Sequence, residues 1–177
     1  MSTIHEGDKS LLEHLDIRQI NCLNESEDHP LISILSSKTK NTGGSYLLSD
    51  ADEQLLLNIP FNQTIKIRSL VIQSSNPAQA PKLVKIFINR PALGFEDVED
   101  ADESAAAQII ELTEEDTSNG NPLALRFVRF QTVNSLHIFV SSNQGGEDET
   151  RIDAIDVLGV PIETTKNLNE LKKQEEN

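Results

Sequence analysis

The chain has 177 residues, the usual size of one domain, so we expect a single core and no second catalytic domain. Its formal net charge of −14 repels a phosphate backbone at long range, which argues against general nucleic-acid binding. With no Trp, one Tyr and six Phe, the chain has few flat side chains on which sugars or exposed bases stack. Lectins and single-strand-binding proteins are therefore disfavoured classes.

Cysteine content and hydropathy bear on the compartment. Cys22 is the only cysteine, so no disulfide, Cys-x-x-Cys pair or Cys-based zinc site can form within this chain. A buried or half-buried structural thiol is the simplest interpretation, since no base or cation lies beside it in QINCLNES. The first residues lack a secretion signal and no long apolar stretch follows, so we expect a cytoplasmic protein, also present in the nucleus, that does not contact a membrane.

In chain order, a short helical candidate at 10–20 comes first. From residue 53 onward, apolar residues occur in short runs rich in Ile, Val and Phe that are separated by Asn, Gly, Pro and acidic residues, which is typical of strands. The predicted strands cover 53–59, 64–73, 82–88, 107–112, 123–131, 135–142 and 151–160. A second short helix is predicted at 166–173. This pattern indicates an all-β protein, a β-sandwich with short terminal helices.

Two runs depart from simple alternation. In 64–73 the apolar parity changes around Ser69, which a β-bulge or a strand covered on both faces would explain. In 123–131, Leu125 and Phe127 are predicted on one face, and Arg126 on the other.

Acidic residues concentrate in the connections rather than in the strands. Clusters occur at 25–28, 50–53, 96–103, 111–116 and 147–149. One interpretation is that these loops are solvated and keep a small β protein soluble. The other is an acidic rim that meets a basic partner surface.

No motif for catalysis or metal binding is present. The four histidines lack metal-ligand spacing, and His137, in the middle of a predicted strand, is interpreted as a surface or hydrogen-bonded structural residue. Asp50-x-Asp52 resembles the start of an EF-hand, but Leu55 and Phe61 occupy the places that require Gly and Glu. We therefore predict no metal, no cofactor and no enzymatic activity.

Three long segments carry a resemblance to a known family: SDADEQLLLNIPFNQTIKIRSLVIQ (49–73), PKLVKIFINRPALGFEDVED (81–100) and PLALRFVRFQTVNSLHIFVSSNQGGEDETRIDAIDVLGVPI (122–162), preceded by CLNES (22–26). Together they resemble the PITH domain, the proteasome-interacting, thioredoxin-associated module. The resemblance implies a jelly-roll β-sandwich of the galactose-binding-like type. It also implies docking on the regulatory particle of the 26S proteasome.

The chain differs from the best-known relatives in one respect. In the best-known relatives the module follows a thioredoxin domain with a Cys-x-x-Cys pair, which this chain lacks. It is predicted to be a stand-alone member or an excised domain, so oxidoreductase activity is not carried over. The predicted organisation is a flexible N-terminus (1–9), a PITH-like sandwich (10–165) and a C-terminal tail (166–177).

Several residues within the resemblance are assigned structural roles. Asp50, Asp52 and Glu53 are expected to accept hydrogen bonds from backbone N–H groups where the chain enters the next strand. Pro60 is expected to end that strand, because it has no N–H for the ladder. Asn89-Arg90-Pro91 is interpreted as a strand exit, with Arg90 near the acidic loop 96–103.

Partner contacts are predicted at two places. Loop 142–149 contains two glycines that allow a tight tip, with polar side chains expected to face outward. The tail has Leu168 and Leu171 three residues apart, enough for one docking turn. The predicted contact residues are Asn143, Gln144, Gly145, Gly146, Glu147, Leu168 and Leu171.

The leading hypothesis is a monomeric, non-enzymatic module that docks on proteasome subunits through loops and tail. The first alternative is a small-molecule or carbohydrate site at the jelly-roll loops, suggested by fold analogy alone. The second is a hydrolase, which would require two carboxylates that converge in a cleft.

Overall fold

The computed structural model describes residues 7–162, and within them the chain is mostly strand. The strands are β1 (Lys9–Ser10), β2 (Asn21–Leu23), β3 (Leu47–Leu48), β4 (Leu55–Gln73), β5 (Leu83–Ile88), β6 (Gln108–Glu111), β7 (Leu123–Ala124), β8 (Val133–Val140), β9 (Arg151–Ile152) and β10 (Ala154–Pro161). The short α-helices are α1 (Ile32–Leu35), α2 (Phe95–Val98) and α3 (Glu114–Asn119). Single 3₁₀ turns cover Leu12–His14, Ile17–Gln19, Pro77–Gln79 and Phe127–Arg129.

The long strand β4 belongs to both layers of the sandwich. Its first part, up to Pro60, pairs antiparallel with β8, which continues to β5 and β6. Its second part, from Ile65, pairs with β10 and β7. The two ends of β4 both bond to segment 150–153. Just before the first residue of β4, Glu53 O accepts a hydrogen bond from Thr150 Oγ1 (2.6 Å), and at its last residue Gln73 O accepts one from Asp153 N (2.8 Å). The strand therefore folds back on itself, so that one eight-stranded antiparallel sheet curls into the two layers of the sandwich, while β3 and β9 form a separate two-stranded sheet. The predicted all-β sandwich is confirmed.

Pro60 does not end the strand, and that prediction is wrong. The two strands predicted at 53–59 and 64–73 form one continuous element. Pro60 pairs with Ser135, and the register with β8 shifts between Pro60 and Ile65. A proline is tolerated here because the pairing partner changes at this point and its own carbonyl remains in use, accepting from Asp16 N at 2.9 Å.

The parity change around Ser69 is explained by a β-bulge. Leu158 pairs with Ser69, whereas Gly159 pairs with Ile67, so Arg68 is the extra residue on β4. The bulge returns Ile65, Ile67, Leu70 and Ile72 to one face, where all four are buried. The bulge alternative, one of two left open by the sequence, is the one observed.

The main core lies between the two layers of the curled sheet and includes inward residues from β4, β8 and β10 with Leu11, Leu12 and Leu15. A second apolar cluster lies on the outer face of β5 and β8. There Leu93, Val98 and Ala106 pack against Phe87 and Phe139. The acidic segment 96–103 is thus part of a covering layer, with its carboxylates outward, rather than a free loop.

Lys85, on β5, holds the covering layer against the sheet by hydrogen bonds. Its ammonium is buried and donates to Glu99 O at 2.7 Å and to Val98 O at 3.3 Å. These carbonyls lie at the C-terminal end of α2, where a cation is favourable.

The prediction of a strand at 123–131 is wrong beyond its first two residues. β7 ends at Ala124 and a 3₁₀ turn spans Phe127–Arg129. The turn breaks the alternation, so Leu125 is buried while Phe127 is 40% and Val128 81% exposed.

The predicted terminal elements have different outcomes. The helix predicted at 10–20 is two 3₁₀ turns, and β1 pairs with β10 from Lys9, so the sandwich begins before residue 10. The helix at 166–173, with Leu168 and Leu171, lies outside the described residues, as does the tail 166–177. No helix within 7–162 is long and apolar enough to cross a membrane.

Candidate functional site

Three loops meet at one end of the sandwich, where β4 begins and β8 ends. The segments are 24–28, 49–54 and 142–150. Short backbone bonds align them: Ser26 N donates to Leu48 O at 2.8 Å, and Ser49 N donates to Thr150 O at 3.0 Å. Loops far apart in sequence are therefore held edge to edge.

Asn24 organises the first two loops. Its backbone is in the left-handed region (φ 68°), which Asn tolerates better than most residues. Its side-chain oxygen accepts from Ala51 N at 3.0 Å, and its amide donates to Asp52 Oδ1 at 2.9 Å and to Gln54 O at 2.7 Å. Sequence analysis assigned no role to Asn24, because no strand was predicted before it; the only signal was its place in the matching segment CLNES (22–26).

The acidic residues at 50–53 act in three different ways. Asp52 Oδ1 accepts from Gln54 N at 3.0 Å, the capping role expected of this segment. Asp50 instead donates its backbone N–H to Asn24 O, and Glu53 contributes its backbone carbonyl to Thr150 Oγ1. The expected acceptor role of the Asp50 and Glu53 carboxylates is therefore not what the structure shows.

Asn143 holds the third loop from inside, and the prediction that its side chain faces outward is wrong. It is 4% exposed, and its amide donates to Glu147 O, Glu149 O and Thr150 Oγ1 at 3.0–3.1 Å. Its oxygen accepts from Glu147 N at 2.7 Å. One side chain thus closes the loop with four hydrogen bonds, which satisfy backbone groups that would otherwise be unpaired.

Gln144 also points inward, contrary to the same prediction. Its amide donates to Leu112 O at 2.7 Å and to Pro81 O at 3.0 Å. Gly145 follows in close contact, its N–H donating to Ala78 O at 2.7 Å, and a Cβ there would lie 2.9 Å from the Ala78 side chain. Gly146 has a φ of 65°, the left-handed conformation that its place at the loop tip requires.

The outward surface of these loops is acidic. We call the following exposed carboxylates the acidic rim: Glu27, Asp28, Asp50, Asp52, Glu147, Asp148 and Glu149. Within residues 7–162, no rim member forms an ion pair with a cation of this chain. The rim therefore presents uncompensated negative charge on loops fixed from within.

Tyr46 lies next to this end, between His29 and Arg151. The His29 and Tyr46 rings stack with centroids 4.0 Å apart, and Arg151 Cζ lies 3.6 Å from the Tyr46 centroid. Two groups at these distances must occupy opposite faces of the ring. The one tyrosine of the chain therefore has no free face for a sugar to stack on.

Asn89, Arg90 and Pro91 follow β5 at the opposite end of β8. Asn89 has a φ of 56°, and its oxygen accepts from Asn134 N at 2.7 Å. Arg90 N donates to His137 Nε2 at 3.2 Å. These residues fix the exit of β5 against the start of β8.

His137 is buried and hydrogen-bonded on both ring nitrogens. Nδ1 lies 2.7 Å from Asn58 Oδ1, which only accepts, so Nδ1 carries the proton and Nε2 accepts from Arg90 N. Burial, and then the nearby Arg90 charge, lower the pKa of His137 to about 4. The neutral ring is therefore a structural part of the fold, one of the roles that the sequence predicted.

Acid should destabilise the fold through His137. Since the pKa falls from its ordinary 6.5 to about 4 on folding, the neutral ring stabilises the native state fully above pH 6.5. This stabilisation, about 3 kcal/mol, is lost as the pH falls from 6.5 to 4. Urea unfolding should show a steeper loss over this range for the parent chain than for His137→Gln. The same comparison above pH 7 is the control, and equal slopes at low pH would contradict the assignment.

Cys22 is buried, as predicted, on β2 beside Glu25. Burial raises the pKa of the thiol far above neutrality, and the Glu25 charge raises it further. The thiol is therefore protonated at neutral pH and is not an activated nucleophile. Within residues 7–162, no group of three or more His, Cys, Asp and Glu side chains is placed to hold a metal ion.

Comparison with known proteins gives the family. A family model described as the PITH domain matches residues 2–177. The chain is 38% identical to thioredoxin-like protein 1 of Schizosaccharomyces pombe, covering 89% of this chain and 53% of that protein. It is 36% identical to the PITH domain-containing protein CG6153 of Drosophila melanogaster, covering 85% of this chain and 69% of that protein. The chain thus spans about half the length of the first relative.

Solved structures show the same fold at low sequence identity. A family 32 carbohydrate-binding module from C. perfringens NanJ, solved with galactose, is similar with a TM-score of 0.60 and 10% identity, over 85% of this chain and 98% of the other. The SusE-like protein BT2857 is similar with a TM-score of 0.58 and 15% identity, over 88% of this chain and 68% of the other. The galactose-binding-like jelly roll predicted from the sequence is confirmed.

Proposed function

The chain belongs to the PITH domain family, and from that premise we propose that it is a non-enzymatic docking module that binds the regulatory particle of the 26S proteasome through the acidic rim. The observation that carries the proposal is the set of exposed, unpaired carboxylates on loops fixed by Asn24 and Asn143. The tail 166–177, with Leu168 and Leu171, is proposed as a second contact. Such a partner would place the chain in the cytoplasm and nucleus.

Charge and rigidity together would provide recognition. A surface of one sign steers association with a surface of the opposite sign and excludes partners of like charge. Loops that are already ordered lose little conformational entropy on binding, which favours affinity. Neither effect requires a reactive group, and the two best candidates for one, His137 and Cys22, are both buried and held in structural roles.

Neutralising part of the rim should weaken proteasome binding. We expect the triple variant Glu147→Gln, Asp148→Asn, Glu149→Gln to bind purified 26S proteasome about tenfold more weakly at low salt, since each exposed charge contributes roughly 0.2–1 kcal/mol. Binding by the parent chain should also fall as salt rises, because screening shortens the range of the rim's field. Quantitative pull-down across a salt series measures both effects.

The matched control removes the same charge elsewhere. Glu96, Glu99 and Asp100 are equally exposed but lie on the covering layer over β5 and β8. The variant Glu96→Gln, Glu99→Gln, Asp100→Asn should bind like the parent chain. If both triple variants lose affinity equally, net charge and not the rim is responsible; absence of binding at every salt concentration would refute the proposal.

The carbohydrate alternative rests on the fold of its structural neighbours, and the position of Tyr46 weighs against it, since both ring faces are covered. A thermal-shift screen of the full chain with sugars and Ca²⁺ separates the two functions, because a ligand that binds the native state raises its melting temperature. A saturable shift with a sugar would favour the alternative.

A further inference from the structure

A second surface, distant from the acidic rim, combines arginines with exposed apolar side chains. A cavity of about 310 Å³ lies against the end of β5, within the size range of small-ligand pockets. Arg90 and Arg129 line it together with Phe87, Ile88 and the segment 104–107. We call this cavity the arginine cleft.

The side-chain hydrogen bonds of Arg129 all go to backbone carbonyls. Arg129 Nη1 donates to three carbonyls, those of Glu103, Ala106 and Ala107, at 3.1–3.2 Å. These bonds fix the side chain but use one of its three nitrogens and supply no counter-charge. In the part of the chain that the structure describes, neither Arg129 nor Arg90 forms an ion pair with a carboxylate.

The 3₁₀ turn that carries Arg129 also carries two exposed apolar residues, which precede Arg129 and do not line the cleft. Val128 is 81% exposed and Phe127 is 40% exposed, the two most exposed large apolar side chains within residues 7–162. Arg68 Cζ lies 4.6 Å from the Phe127 ring centroid, which fixes the ring by a cation–π contact. Arg129 therefore shares one 3₁₀ turn with an apolar tip formed by Phe127 and Val128, and Arg90 lines the same cavity from the end of β5.

From this juxtaposition we propose that the arginine cleft, with Phe127 and Val128 beside it, binds a short acidic peptide segment that also carries a large apolar residue. A guanidinium donates two parallel hydrogen bonds to a carboxylate, so an Asp or Glu side chain of the partner fits the cleft. The apolar residue packs against the tip and removes it from water.

Charge complementarity favours a peptide over larger polyanions. The whole chain carries −14, which repels nucleic acids and anionic membranes over long distances. A short peptide carries few charges, so the chain repels it less at long range, and at contact distance Arg90 and Arg129 can pair with its carboxylates. This surface is separate from the rim, and its test does not depend on proteasome binding.

Fluorescence anisotropy with the full chain tests the proposal. The probe is a short labelled peptide in which two Glu-Asp pairs flank a Leu-Phe centre. In the first control peptide Gln and Asn replace the acidic residues, and in the second Ala replaces both Leu and Phe. We expect saturable binding of the first peptide at low salt and at least about tenfold weaker binding of the other two.

Two exposed substitutions assign the site without disturbing the fold. Arg90→Gln and Val128→Ser should each weaken binding of the first peptide, and Arg90→Gln should do so by about tenfold. Arg18→Gln, which removes one exposed positive charge that does not line the cleft, should have no effect. The proposal is overturned if Arg18→Gln weakens binding as much as Arg90→Gln, if no peptide binds up to roughly 1 mM, or if anionic vesicles or single-stranded DNA bind better than the peptide.

Discussion

Replacing Gly159 with alanine is expected to destabilise the fold by about 3 kcal/mol, at the upper end of the cost of overpacking a rigid site. Gly159 lies at the bulge between β10 and β4, where a Cβ would collide with Lys66 O and come within 3.0 Å of Lys66 C and 3.1 Å of Ile67 Cα. These are backbone atoms of β4, the strand shared by both layers of the sandwich, so they cannot move aside as a flexible side chain would. The collision can be relieved only if β10 and β4 move apart at this point.

Urea unfolding measures the effect, and for a chain of this size the melting temperature should fall by roughly 6–12 °C. Gly44→Ala is the matched control. Gly44 is exposed, and a Cβ added there would have no neighbouring atom within 4 Å, so its substitution should change stability by less than about 0.5 kcal/mol. If Gly159→Ala is as stable as Gly44→Ala, close packing at the bulge does not require glycine at position 159.

The bulge also shows how far sequence reasoning reaches. The parity change around Ser69 is a local signal, and it located an irregularity that the structure places at Arg68. The strands 82–88 and 135–142 were predicted nearly to their ends, because alternating apolar residues report directly which face is buried. Local patterns of this kind identified the sandwich without knowledge of pairing.

The candidate site was less predictable, because its partners come from distant parts of the chain. Asn143 and Gln144 are polar residues in a loop, and polarity alone favours solvent. Their hydrogen-bond acceptors lie in segments near 81, 112 and 150, which no local pattern connects to residue 143. The arginine cleft was missed for a similar reason, since a 3₁₀ turn at Phe127–Arg129 replaced the strand that alternation predicted.

Asn143→Ala is expected to cost about 3 kcal/mol of folding stability. The substitution removes four hydrogen bonds, and Asn143 and Thr150 are both buried, so the bond that the Thr150 hydroxyl accepts is lost where water has little access. Asn62→Ala, at an exposed position in the middle of β4, should change stability by less than about 0.5 kcal/mol. Equal stability of the two variants would show that the buried bonds are not required.

The same substitution separates the two contributions to docking. Asn143→Ala leaves every rim charge in place but releases the loop that carries Glu147, Asp148 and Glu149. Hydrogen exchange should show faster exchange of the Glu147 amide at temperatures where the variant is still folded. Under those conditions proteasome binding should weaken although net charge is unchanged, because the loop must then be ordered on binding. Unchanged binding by a loop shown to be mobile would mean that charge alone, and not a fixed arrangement of carboxylates, determines recognition.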